Sequence, residues 1–182
     1  MEKVLNNNVD DILRLDEISN KQFYGIDFSA YDFSGKKFND CAFEKCNLSN
    51  VIIKNASFNN VSFINSKIMG FKFVDLNNFL SNFNFKDCNI SLSSFYGLNL
   101  KNVYFEDSEI KETDFTNANL EGSKILYCDL EKSIFLNTNL KKTDLTGTYN
   151  FSINPNLNKL EKTKFSREHS IGLLQYFDII LD

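Results

Sequence analysis

The sequence predicts an all-β fold, a β-helix in which the chain winds as a solenoid, and three observations predict it. Large apolar residues recur at every fifth position over most of the chain. Small residues recur two positions ahead of them. Breakers are scarce, with 7 Gly and 1 Pro in 182 residues, where a sandwich or barrel of this size spends more of both on its turns.

The large column starts at Phe23 and runs Phe28, Phe33, Phe38, Phe43, Leu48, Ile53, Phe58, Phe63, Ile68 and Phe73. After two extra residues it resumes at Leu80 and steps in fives from Phe85 to Leu145. Every member is Phe, Leu or Ile, and the column takes most of the 19 Phe of the chain. The small column includes Cys41, Cys46, Val51, Ala56, Val61 and Ser66, then Cys88, Ser93, Val103, Ser108, Thr113, Ala118, Ser123, Cys128, Ser133, Thr138 and Thr143. Between the columns Asn and Asp are common, as at Asp27, Asn47, Asn89, Asp114 and Asn139. A period of five is neither the 3.6 of a helix nor the 2 of a strand. It fits a chain that turns a corner every five residues and sends one large and one small side chain inward per side. The other three positions face water or make the turn, where Asn, Asp, Gly and Ser supply the chemistry.

Segments such as Ala118-Asn119-Leu120-Glu121-Gly122 and Thr143-Asp144-Leu145-Thr146-Gly147 resemble the pentapeptide-repeat consensus, A(D/N)LXX. The resemblance covers residues 17–165. It implies a right-handed quadrilateral β-helix with four repeats per coil. At about 4.8 Å per coil, a little over six coils make a rod roughly 30 Å long. One domain then spans 1–182: an N-terminal cap at 1–16, coils at 17–147, an irregular last coil at 148–165, and a C-terminal α-helix and tail at 166–182. The phase slip falls in Val74-Asp75-Leu76-Asn77-Asn78-Phe79, which is expected to bulge outward. Asn150 and Pro155 cannot serve as core centres, so 148–157 reads as an excursion.

A solenoid must cover its ends. Val9, Ile12, Leu13 and Ile18 are placed to plug one end, with 1–8 expected to fray. At the other, Ser166 is a candidate N-cap for a helix with Glu168 in its first turn. Ile171, Leu174 and Leu173 can share a face, and the apolar tail Phe177-Asp178-Ile179-Ile180-Leu181 follows. This ending resembles the quinolone-resistance (Qnr-type) branch, whose helix carries a Leu-Leu pair before an apolar tail. The resemblance implies a twofold dimer, with Ile171, Leu173, Leu174, Phe177 and Ile179 as candidate contacts. It also implies a protein partner, type II topoisomerase and DNA gyrase especially, bound by a rod that mimics duplex DNA in width and charge, with reduced quinolone sensitivity as the outcome.

The net charge is −4, with acids and bases interspersed, so the chain lacks the basic stripe of a protein that neutralises phosphates. No stretch reaches the roughly 18–20 apolar residues of a membrane helix, and no apolar leader precedes the repeats; a cytoplasmic protein is expected. The acids cluster locally, making Glu106, Asp107, Glu109, Glu112, Asp129 and Glu131 the candidate partner surface. Outward apolar residues, Ile52, Val74, Tyr96, Ile134 and Leu136 on one face and Ile64, Tyr104, Leu126 and Tyr127 on its neighbour, offer a scaffold alternative with an unknown protein partner, for which a contiguous patch around Tyr104, Leu126, Tyr127, Ile134 and Leu136 would be the contact surface. The four Cys all sit in the small inward column and read as core. His169, the single histidine, has no nucleophile motif beside it, and no GxSxG, P-loop or HExxH pattern occurs. No enzyme, cofactor or metal is expected.

Overall fold

The computed structural model describes residues 1–6, 8–77, 82–177 and 179–180. The strands β1 (Glu2–Val4), β2 (Glu17–Ser19), β3 (Lys21–Tyr24), β4 (Lys37–Asn39), β5 (Ala42–Glu44), β6 (Ser57–Ile64), β7 (Asn82–Lys86), β8 (Tyr104–Glu106), β9 (Lys124–Leu126), β10 (Asp144–Leu145) and β11 (Lys164–Phe165) join one 11-stranded parallel sheet. Phe23 lies opposite Phe43, Phe43 opposite Phe63 and Phe105 opposite Ile125, so four repeats complete a turn. The result is a right-handed four-sided β-helix of about 8 turns. That is longer than the in-register repeats alone imply, because β1 adds a level below Phe23 and Phe165 adds one above Leu145.

Each wall is named here by its inward centres. The first carries Phe23, Phe43, Phe63, Phe85, Phe105, Ile125 and Leu145; the second Phe28, Leu48, Ile68, Ile90, Ile110 and Leu130. The third carries Phe33, Ile53, Phe73, Phe95, Phe115 and Phe135; the fourth Ile18, Phe38, Phe58, Leu100, Leu120 and Leu140. All are buried. Phenyl rings stack along the first wall, with centroids 4.8 Å apart for Phe23–Phe43 and 5.0 Å for Phe85–Phe105. They stack again along the third, 4.2 Å for Phe73–Phe95 and 5.1 Å for Phe95–Phe115. The two columns meet edge to face across the axis, as Phe95 meets Phe105 at 88°. The coil spacing sets the stacking, and the ring quadrupole favours the perpendicular contact between columns.

Corners form two residues after each centre. Asn50, Asn55, Asn60, Asn102, Asp107 and Asn117 take the left-handed conformation there, and so do Lys45, Leu92, Tyr127 and Lys132. Six of the seven glycines occupy the same phase. Asn and Asp therefore fill two columns for two reasons. At the corner they tolerate positive φ. One residue before the centre they form Asx turns: Asp27, Asp32, Asn47, Asp114 and Asn139 accept from the amide two residues on. The second set also links coils, as when Asn119 Nδ2 donates to Asn99 Oδ1 and Asn139 Nδ2 to Asn119 Oδ1.

The small column does more than save space. Thr113, Ser123, Thr138, Thr143 and Thr148 are fully buried, and each donates its hydroxyl to the carbonyl of a core centre one coil back. Ser66, Ser108 and Thr148 also accept an amide hydrogen from the coil beneath. Buried hydroxyls persist because each is bonded. The column is interrupted by Phe71, Phe83 and Leu98, all buried. Near Phe71 the third-wall ladder opens: bridges join Asp32 to Ile52 and Lys72 to Ser94, but none joins Ile52 to Lys72 among the described residues.

Four expectations are corrected. Residues 1–8 do not simply fray: β1 pairs with β3 and Val4 is buried, with a helix, α1 (Val9–Leu13), packed behind it. The register break falls at the end of 74–79 and runs past it, because Asn77 N–H still bonds the Ala56 carbonyl as Ser57 N–H bonds that of Lys36 one coil below. By Asn82 the partner is Asn59, and a further shift between Asn59 and Val61 sets Phe63 opposite Phe85; Asn78, Phe79 and Leu80 lie outside the described residues. In the stretch 148–157, Phe151 and Ile153 are buried: Phe151, one place out of phase, fills the core position that Asn150 vacates. The C-terminal helix is a 3-10 helix, Arg167–Leu173, not an α-helix. Gly172 is pressed against Phe151, where a Cβ would meet the Phe151 carbonyl at 2.2 Å, and Ile153 N–H bonds the Gly172 carbonyl. That tether favours a short, tight helix of the kind used at connections.

Candidate protein-binding surfaces

The candidate acids come from two adjoining walls. Glu106 lies on β8, on the first wall, and Asp107 turns the corner after it in the left-handed conformation. Glu109 and Asp129 stand one above the other on the second wall, bridged through their backbones, and Glu112 makes the next corner. Asp87 belongs with them: Asp87 N–H bonds the Glu106 carbonyl, placing its corner one coil below that of Asp107. The stacked coils therefore bring Asp87 and Asp107 to the corner between the first and second walls and Glu109 and Asp129 beside it, with Glu112 and Glu131 at the far side of the second wall. A shallow depression lined by Asp87, Asn89, Asp107 and Glu109 lies at the first of these corners. Local acid clustering in the sequence pointed to this side of the rod, and the period of twenty shows why Asp87 shares it.

Not all of these charges are available. Lys86 pairs with Glu106 at 2.8 Å; hydrogen bonds from Lys86 and Tyr104 hold the Glu106 carboxyl below its ordinary range. Lys111 pairs with Asp129 at 3.1 Å and stands 3.9 Å from Glu131. Glu109 accepts from Asn89 Nδ2 at 2.7 Å. Asp87, Asp107 and Glu112 have no ion-pair partner among the described residues. Elsewhere charges pair vertically between coils, Lys101 with Glu121, Lys141 with Glu161 and Lys164 with Asp144. The acids therefore form a local patch and not a stripe along the rod.

The two apolar sets are not neighbours. Tyr104 and Leu126 stand on the first wall; Ile134 and Leu136 stand two repeats away, on the opposite, third wall. A four-sided coil cannot merge them. Tyr127 turns the corner beside Leu126, with its ring over Gly147.

The end surface also sorts itself. With three residues per turn, Ile171 and Leu174 share one face and Leu173 turns back against the core. Ile171, Leu174, Phe177 and Ile179 are exposed; Asp178 and Leu181 lie outside the described residues. Ser166 stands at the N-cap but makes no cap with its side chain. Its Oγ instead accepts from Gly147 N–H at 2.7 Å, tying the cap to the coil below.

The four cysteines are buried and unpaired in disulfides. Burial pushes the Cys46 and Cys88 thiols up to about 11 and Cys128 to about 12. His169 Nδ1 is buried without a hydrogen-bond partner, beside Tyr149. Among the described residues, no three acidic, histidine or cysteine side chains converge as a metal site would need, and no helix is long and apolar enough to cross a membrane.

Two family models match the chain. One, described as a pentapeptide repeat region, covers residues 36–115, and another, of pentapeptide repeats in eight copies, covers 113–149. No curated protein matches the sequence. Among solved structures, the fold is similar to full-length QnrB1, a plasmid-mediated fluoroquinolone resistance protein, at 18% identity and a TM-score of 0.46, over 98% of this chain and 95% of that one. It is similar to a pentapeptide repeat protein of the Arabidopsis thaliana thylakoid lumen at 21% identity and a TM-score of 0.34, over 70% of this chain and 66% of that one. HetL, involved in heterocyst differentiation regulation in Nostoc sp. strain PCC 7120, is similar at 11% identity and a TM-score of 0.32, over 81% and 84%.

Proposed function

This chain belongs to the pentapeptide-repeat family, and we propose that it is a non-enzymatic binding rod that docks its acidic side into a basic groove of a protein partner. The presence of Asp87, Asp107, Glu109, Glu112, Asp129 and Glu131 on one side of the rod, the second wall and its two corners, carries this reading. Against Lys86, Lys111 and Lys132, this side with Glu106 holds roughly one net charge per 3–4 Å of axis over three coils, about half the density of duplex DNA. A groove built for DNA is the complementary surface, so type II topoisomerase is the partner to test first, and the Qnr-type ending points to the same enzyme. Assembly into a twofold dimer through Ile171, Leu174, Phe177 and Ile179 would present two such sides.

The test is a gyrase supercoiling assay, with and without a fluoroquinolone, titrated with the purified protein. Inhibition or drug protection at micromolar levels is expected, weakened several-fold by Asp107→Lys with Glu112→Lys. An unaltered assay at those levels would sink the topoisomerase partner. The scaffold reading is favoured by a separate observation: Ile52, Val74, Tyr96, Ile134 and Leu136 are exposed on the third wall, away from the acids.

A further inference from the structure

The outward apolar side chains of the coils are not spread evenly. Ile52, Val74, Tyr96, Ile134 and Leu136, each between 40% and 56% exposed, stand on the third wall. Leu92, Tyr127 and Tyr149 are the comparable residues on the acidic side. Five such residues along one wall are more than single scattered exposures and make this wall the candidate for a contact.

The row has an internal symmetry. Backbone bridges fix one column, coil by coil: Lys72 to Ser94, Ser94 to Asp114, and Asp114 to Ile134, with Ile52 one level below Lys72. Two residues along each coil runs a second column, Tyr96, Thr116 and Leu136, joined through the corners Gly97 and Asn117, with Val74 on the 3-10 turn Phe73–Asp75 near its lower end. The coil of Ser94 and Tyr96 is the midpoint. A twofold axis lying in the wall, across the rod at that coil, sets a second copy face to face and antiparallel. Each column then faces itself in reverse order. Ile52 meets Ile134, Lys72 meets Asp114, and Tyr96 meets Tyr96 on the axis. Lys54 lays its aliphatic stem over Leu136. Neither Lys72 nor Asp114 has an ion-pair partner within the chain among the described residues, so both are left for the contact.

We propose that the third wall is a self-complementary surface whose occupant is a second, antiparallel copy of this chain. The proposal is independent of the topoisomerase reading and of the end-to-end dimer. Strand and coil spacings give a patch of about 400 Å² per partner, half of the ~800 Å² usual for a stable complex. The association is therefore weak, with Kd on the order of 100 µM, and serves to bundle rods where they are locally concentrated.

Sedimentation velocity over about 10–500 µM tests it, with Leu174→Asp in every sample so that end contacts do not contribute. The sedimentation coefficient is expected to rise with concentration. Lys72→Asp alone, or Asp114→Lys alone, sets like charges together twice across the axis and should leave the rod monomeric over the range. The double variant reverses both signs and should restore association. Tyr96→Glu, on the axis, should abolish it without touching those charges. A monomer at all concentrations, an association indifferent to Lys72→Asp, or a double variant no better than the singles would each overturn the proposal; the first would leave the wall to a different protein.

Discussion

A hydroxyl or thiol in the small inward column decides how two coils are joined. Thr143 Oγ1 reaches the Leu120 carbonyl at 2.7 Å, and Cys46 Sγ makes the longer equivalent to the Phe23 carbonyl at 3.5 Å. Cysteine suits this position because it is small and tolerates burial, and its thiol donates weakly. Burial has a titration consequence. The Cys46, Cys88 and Cys128 thiols ionise in the unfolded chain near 9 but in the folded rod near 11, 11 and 12. Groups raised on folding contribute stability that is complete below the unfolded value and is lost as pH climbs through the folded one. Urea midpoints of wild type should therefore fall more steeply between pH 9 and 11 than those of Cys46→Ser with Cys88→Ser and Cys128→Ser. Serine already fills the same position at Ser66 and Ser108, so the variant retains the fold. Parallel pH curves for the two proteins would show the thiols to be uncoupled from stability.

At the scale of the element, a coil is stabilised by the coils above and below it. Phe105 stacks on Phe85 and meets Phe95 and Phe115 edge to face. Phe105→Ala should cost roughly 3–5 kcal/mol in urea melts, as large buried truncations do. Phe23 is in much the same position, since β1 lays Val4 beneath it, and its truncation should cost nearly as much. Phe165, half-buried in the last coil, should cost clearly less. Equal losses at Phe165 and Phe105 would contradict a stack held by neighbour contacts. The same elements show what was legible in the sequence. The period of five exposed the core centres because every wall repeats one steric demand, and Phe105 or Leu145 could be placed by counting. β1 was invisible because three residues, Glu2–Val4, carry no period. Phe151 was missed because a single residue out of phase looks like an interruption, though it fills the core. The acids were visible as a cluster in sequence. Their ion pairs, Lys86 with Glu106 and Lys111 with Asp129, were not, because these depend on side-chain geometry between coils. The 3-10 form of the cap depends on a tertiary contact, Gly172 against Phe151, that no local pattern encodes.

The whole molecule is a rod with three unlike surfaces: an acidic second wall with its corners, a third wall bearing outward apolar residues, and an apolar end. The end is the most exposed to water for its size. Ile171, Tyr176, Phe177, Ile179 and Ile180 are all open there, while Leu173 and Gly172 hold the cap down on Phe151 and the core. The cap is thus anchored from beneath and apolar above, as the proposed end-to-end dimer requires. Two such ends meeting about a twofold axis would bury Ile171 and Leu174 from both copies, since the 3-10 turn aligns them on one outward face. Light scattering of the purified protein at low micromolar concentration, where the weak side contact does not form, should give the mass of a dimer. Leu174→Asp places two carboxylates on the axis side of that contact and should give a monomer of unchanged thermal stability, because the side chain lies outside the core. Leu173→Asp is the contrasting variant: it acts on the inward face and should lower stability as well as loosen the cap. A monomeric mass for wild type and Leu174→Asp alike would refute the end-to-end dimer and leave Ile171 and Leu174 as the outer surface of a simple cap.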